Sequence, residues 1–115
     1  MIRYTFAAAL AALALPACAT LAPQAAPGSE LVGRTMRVEL PGGEVTILSF
    51  NGDGTVIGTG TGPQAFGRWA MEPGRICMEW QRVGRECYPY AAPFRRGQTV
   101  TLTGTSGVTV RAALQ

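Results

Sequence analysis

The chain has 115 residues, the length of a single domain, and its fifteen glycines and eight prolines disfavour long helices. The net charge is +3 and comes from arginines spread along the sequence, a pattern that disfavours nucleic-acid binding. The sequence contains no histidine, which excludes Ser-His-Asp and Cys-His nucleophile systems and histidine-ligated metals.

Residues 1–18 have the three-part pattern of an export signal. Arg3 supplies a positive charge, residues 6–15 form an uninterrupted apolar run, and small residues follow as far as Cys18. A run of ten apolar residues is too short to span a bilayer. The alternative, a buried N-terminal helix, is disfavoured because no amphipathic pattern marks an inward face. We therefore expect the protein on the periplasmic side of a bacterial cell envelope.

Two different peptidases could cleave this signal. Leu15-Pro16-Ala17-Cys18 resembles a lipobox, apart from its Pro16, and cleavage there would leave Cys18 as a lipidated membrane anchor. Ala17-Cys18-Ala19 also fits the A-x-A rule, which would release a soluble periplasmic or secreted protein. Lipidation is favoured because Cys18 is the odd one of three cysteines. Residues 19–30 are also predicted to be the disordered linker typical of lipoproteins.

Residues 31–115 are predicted to form one all-β domain. Period-two alternation and β-rich runs, separated by turn signals about every eight to twelve residues, predict eight short strands. These strands are 31–40, 45–50, 55–60, 66–72, 75–81, 86–90, 98–103 and 108–112. The strongest turn signal is Asn51-Gly52-Asp53-Gly54. The spacing predicts an antiparallel meander that closes into a small barrel or a flattened sandwich.

Cys77 and Cys87 are predicted to form a disulfide, because they lie on consecutive strands and export exposes them to oxidising conditions. On the chain-entropy model, closing a loop this short stabilises a domain by about 2.8 kcal/mol. The alternative, a redox-active or metal-binding pair, is disfavoured. The spacing is not Cys-x-x-Cys, and neither a histidine nor a third thiol accompanies the pair.

Four motifs follow one another in the middle of the chain: Phe50–Thr55, Gly67-Arg68-Trp69, Gly74–Trp80 and Cys87-Tyr88. In this order they resemble a group of small exported bacterial domains of uncharacterised function. That group has an aromatic residue before a D-G turn, a G-x-W strand, a Cys followed by an aromatic, and a second Cys further on. The resemblance implies a lipocalin-like outline and implies no activity.

The acidic residues do not assemble into a catalytic set. Asp53 is interpreted as a turn former, and its turn lacks the later carboxylates of a calcium loop. Glu79 and Glu86 flank the predicted disulfide and are interpreted as solvated strand residues. A facing acid pair for glycoside hydrolysis is the disfavoured alternative. We therefore predict no enzyme activity, no cofactor and no metal site.

Aromatic and arginine residues are concentrated between residues 68 and 96. In one interpretation the aromatic residues form core and the arginines form solvated surface. In the other they form a binding face together. Arginine offers planar donors and tyrosine offers rigid area, so the mixture suits an acidic protein surface or an anionic polymer. The candidate binding face consists of Arg82, Arg85, Tyr88, Tyr90, Phe94, Arg95 and Arg96.

The predicted function is a non-enzymatic cell-envelope domain that binds another protein or a small apolar ligand at a barrel end. An apolar cavity open at one end would favour a ligand, whereas a barrel filled by its own side chains would favour a protein contact. The alternative is a structural or accessory lipoprotein without a ligand, and an enzyme ranks third.

Overall fold

The structure, a computed structural model, describes residues 25–115 and shows an all-β domain, as the sequence predicted. A three-residue 3-10 turn, Ser29–Leu31, precedes eight antiparallel strands. The strands are β1 Arg34–Glu39, β2 Val45–Phe50, β3 Thr55–Thr59, β4 Ala65–Glu72, β5 Arg75–Trp80, β6 Gly84–Pro89, β7 Thr99–Thr103 and β8 Thr109–Leu114. The predicted export signal and Cys18 lie outside the described residues.

The strands form a meander wrapped into a nearly closed barrel. Consecutive strands pair antiparallel from β1 to β6, and β7 pairs with β8. The first strand also pairs with the last, so that Met36 lies opposite Leu114. The hydrogen-bonded order is β6-β5-β4-β3-β2-β1-β8-β7. Its two outer strands, β6 and β7, face each other across what we call the seam.

Side-chain alternation directs one face of each strand into the barrel. In β1, Met36 and Val38 are buried, whereas Arg37 between them is exposed. The buried apolar side chains form one cluster, and burial of apolar area is the main force that stabilises a small domain. Its members are Leu31, Met36, Val38, Leu48, Phe50, Val56, Ile76, Met78, Phe94, Val110, Ala112 and Leu114.

The two ends of the barrel are built differently. At one end, the closed end, the 3-10 turn and the segment 90–98 run across the opening, and Leu31 there is completely buried. At the other, the open end, the strand register places the connections 40–44, 60–64, 81–83 and 104–108.

Glu30 holds the closed end together. Its carboxylate accepts a hydrogen bond of 2.8 Å from the Tyr90 hydroxyl and another of 2.8 Å from the Phe94 backbone N–H. The Tyr90 hydroxyl in turn accepts a hydrogen bond of 3.0 Å from the Gly28 N–H. Residues 28–30, which the sequence predicts to belong to the linker, therefore contact the barrel directly.

Candidate functional site

A cavity of about 150 Å³ lies inside the barrel. None of the fourteen residues that line it is charged, and hydroxyl groups come only from Thr46 and Tyr88. The lining consists of Met36, Val38, Leu40, Thr46, Leu48, Phe50, Ile76, Met78, Trp80, Tyr88, Phe94, Leu102, Val110 and Ala112.

The cavity exists because a large ring lies against the barrel wall. Gly58 and Gly67 occupy inward-facing positions on β3 and β4, and a Cβ at these positions would lie 3.4 Å and 3.0 Å from the Trp80 ring. The indole therefore occupies the space that side chains would take on these two strands. Across the barrel, β8 contributes the side chains of Val110 and Ala112, of which that of Ala112 is small. The part of the barrel interior that lies towards the open end consequently remains unfilled.

The exposure of the lining residues locates the mouth of the cavity. Leu40, Trp80 and Leu102, which lie near the turns of the open end, are partly exposed. Phe50 and Phe94, which lie towards the closed end, are buried. The cavity is therefore apolar, closed at its base and accessible from the open end.

The seam beside the cavity is closed by polar contacts. The Glu86 carboxylate accepts hydrogen bonds from the Ser106 N–H at 2.8 Å and from the Thr105 hydroxyl at 3.1 Å. The Cys87 carbonyl accepts one from the Thr105 N–H at 3.0 Å. Gly104 allows this close approach, since a Cβ there would overlap the Glu86 carboxylate.

Glu86 differs from the solvated strand residue that the sequence indicated. It lies opposite Met78 on the inward-facing side of β6 and is only partly exposed, whereas Glu79 is exposed on the outer side of β5. The two carboxylates therefore do not face each other. Partial burial raises the pKa of Glu86, but the hydrogen bonds from Ser106 and Thr105 outweigh it and leave the pKa below its ordinary value.

The three aromatic residues of the candidate binding face belong to the interior. Tyr88 points inward from β6, Tyr90 follows the end of that strand, and both pack against the core. Phe94 is itself a core residue, and its ring contacts that of Tyr90 edge to face at a centroid distance of 5.6 Å. Tyr88 alone of the two tyrosines lines the cavity.

The four arginines of the same face are distributed over the barrel. Arg82 lies in a turn at the open end, and Arg95 and Arg96 are exposed in the segment that crosses the closed end. Arg85 lies on the outside of β6 and forms an ion pair with Glu72. The structure thus does not bring the seven residues onto one surface, and a binding role for the arginines stays a prediction.

The predicted Cys77–Cys87 disulfide is present and joins directly opposite residues of β5 and β6. Both cysteines point outward, yet they are only 4% and 5% exposed. The strand register explains this, because the Arg85–Glu72 ion pair runs from β6 to β4 and passes over Cys77 on β5. Long charged side chains can cover surface in this way.

The described residues 25–115 contain no group of three or more metal-ligating side chains and no helix long and apolar enough to cross a membrane. No family model matches the chain, and neither the curated proteins nor the solved structures yield a match. The barrel and the disulfide implied by the sequence resemblance are present in the structure, whereas membership of that group of exported domains stays a prediction.

Proposed function

We propose that the domain binds one small apolar molecule inside the barrel. The observation that carries the proposal is the uncharged cavity of about 150 Å³. An apolar protein cavity of roughly 150 Å³ can bind benzene. Eight-stranded barrels are either filled by their own side chains or hold one small ligand. Since this barrel is incompletely filled, a ligand is favoured over a protein contact.

The physical driving force would be the same as in core packing. Atoms that line an empty cavity lack neighbours on one side and so lose dispersion contacts. A ligand of fitting shape restores these contacts and removes its own apolar surface from water. Hydrogen bonds between strands and across the closed end already hold the walls in place, which limits the ordering cost of binding.

Thermal melting of the purified domain with toluene tests this proposal. A ligand present at 100 times its Kd stabilises the folded state by about 2.7 kcal/mol. For a domain of this size that amounts to a rise in Tm of roughly 10–20 °C. Ala112→Leu should abolish the rise, because Ala112 lines the cavity. Ala113→Leu is the matched control, because Ala113 is the next residue and faces outward.

A rise in Tm that persists in Ala112→Leu would place the ligand elsewhere on the molecule. No rise with toluene in the parent protein, together with calorimetry that detects no heat of binding, would contradict the proposal. A structural or accessory role without a ligand would then be favoured.

We further propose that the domain acts in the cell envelope, anchored through lipid on Cys18. The support is the sequence alone: the lipobox-like Leu15–Cys18, the odd cysteine and the linker that follows. Mass spectrometry of the mature N-terminus is the test. A diacylglyceryl or triacyl adduct on Cys18 supports the anchor, and an unmodified N-terminus at Thr20 contradicts it.

A further inference from the structure

We infer that the molecule bound in the cavity is a neutral amphiphile whose single polar group accepts a hydrogen bond from the Tyr88 hydroxyl. The inference rests on the proposed function and adds the chemical class of the ligand. The supporting observation is a difference between Tyr88 of β6 and Tyr90, which follows that strand.

Tyr88 in β6 and Tyr90 just after it both pack against the core, but only the Tyr90 hydroxyl is hydrogen-bonded within the described residues 25–115. The Tyr90 hydroxyl donates to Glu30 and accepts from Gly28. The Tyr88 hydroxyl has no hydrogen-bond partner among residues 25–115, and its side chain lines the apolar cavity. The hydroxyl is accessible, since no buried side-chain oxygen or nitrogen of the described residues lacks a partner, and a ligand acceptor can replace water on it.

The Tyr88 hydroxyl is suited to act as a donor. Burial, and in second place the negative charge of Glu86, raise its pKa above the ordinary value. The group therefore keeps its proton throughout the neutral pH range. A ligand oxygen such as that of an alcohol, phenol, ketone or ester can accept this hydrogen bond.

The charges around the cavity disfavour an anionic ligand. None of the lining residues is a cation. The nearest charged group on the inward-facing side of β6 is the Glu86 carboxylate, two positions from Tyr88. A ligand carboxylate would lose its hydration in an apolar site and would also be repelled by Glu86. Both effects lower the affinity for a fatty acid or another carboxylate, and so they favour a neutral amphiphile.

Calorimetric titration with toluene, phenol and benzoate tests the inference, because the three probes share one ring and differ in the group attached to it. We expect phenol to bind more tightly than toluene and benzoate to bind most weakly. Tyr88→Phe should weaken phenol binding by roughly 3–10-fold, the range expected for one neutral hydrogen bond, and leave toluene binding unchanged. Tyr90→Phe is the matched control, because it removes a hydroxyl outside the cavity lining.

Glu86→Gln tests the electrostatic part. It keeps a side-chain oxygen that can accept from Ser106, and it should raise the affinity for benzoate without changing that for toluene. If toluene binds but the preference for phenol is missing, or survives Tyr88→Phe, the inference is overturned and the proposed function stands. Failure of all three probes to bind would overturn both.

Discussion

Removal of the disulfide is the perturbation whose effect the structure predicts most directly. We expect replacement of both Cys77 and Cys87 with serine to lower the Tm strongly without abolishing the fold. The bridge closes a loop whose ends are ten positions apart. On the chain-entropy model, opening a loop of this length costs about 2.8 kcal/mol of stability.

The predicted loss is large in relation to the size of the domain. In domains of 60–100 residues, 1 kcal/mol changes the Tm by roughly 4–8 °C, so the expected decrease is about 10–20 °C. The position of the bridge adds to its importance. Cys87 lies on the outer strand β6, and its backbone carbonyl and N–H both bond to Thr105 across the seam. The disulfide thus fixes the strand on which barrel closure depends.

Circular dichroism melts under oxidising conditions provide the measurement. The parent protein in the presence of a reductant is the control. Its Tm should agree with that of the double serine variant, which separates loss of the bridge from the effect of two buried hydroxyls. A decrease of less than about 3 °C in both samples, well below the range given above, would refute the assignment of a major stabilising role to the bridge.

Three further predictions concern the closed end and the seam. Glu30→Ala should lower the free energy of unfolding by about 2–4 kcal/mol in urea titrations, because the Tyr90 hydroxyl and the Phe94 N–H lose their acceptor. Glu86 has a lowered folded pKa, so its stabilising contribution is present above the ordinary value near 4.5 and is lost as the pH falls through the folded pKa. Melts between pH 3 and 6 should show this loss, and Glu86→Gln should reduce it, with a remainder from Asp53, whose pKa is lowered by hydrogen bonds from Thr55. Gly104→Ala should lower the Tm because its Cβ would overlap the Glu86 carboxylate, whereas Gly62→Ala, with open space around the new Cβ, should leave it nearly unchanged.

Much of the fold could be predicted from the sequence because local alternation reports which face of a strand is buried. In β5, Ile76 and Met78 alternate with Arg75 and Glu79, and the structure buries the first pair and exposes the second. The turns around glycine and proline separated the strands for the same local reason. The choice of a barrel over a sandwich depended on the pairing of β1 with β8, a contact between distant segments that no local pattern encodes.

The candidate site could be predicted only in part. The shared orientation of Tyr88 and Tyr90 followed from strand parity, but the cavity did not, because it depends on how the Trp80 ring packs over Gly58 and Gly67. The role of Glu30 was also inaccessible. Its hydrogen-bond partners lie about 60 positions away in the sequence, and the residue itself occupies a segment whose composition indicates a linker.

The pairing of the first strand with the last determines how this barrel can fold. Neighbouring strands can form hairpins early, since only short loops separate them, whereas β1 can gain its second neighbour only after nearly the whole chain has become available. Until then β1 lies at one edge of the sheet with unpaired backbone groups, which can pair with other chains. Pairing of the β7–β8 hairpin with β1 is therefore the step at which folding competes with aggregation at this edge, and a chain that lacks β8 would leave β1 unpaired permanently.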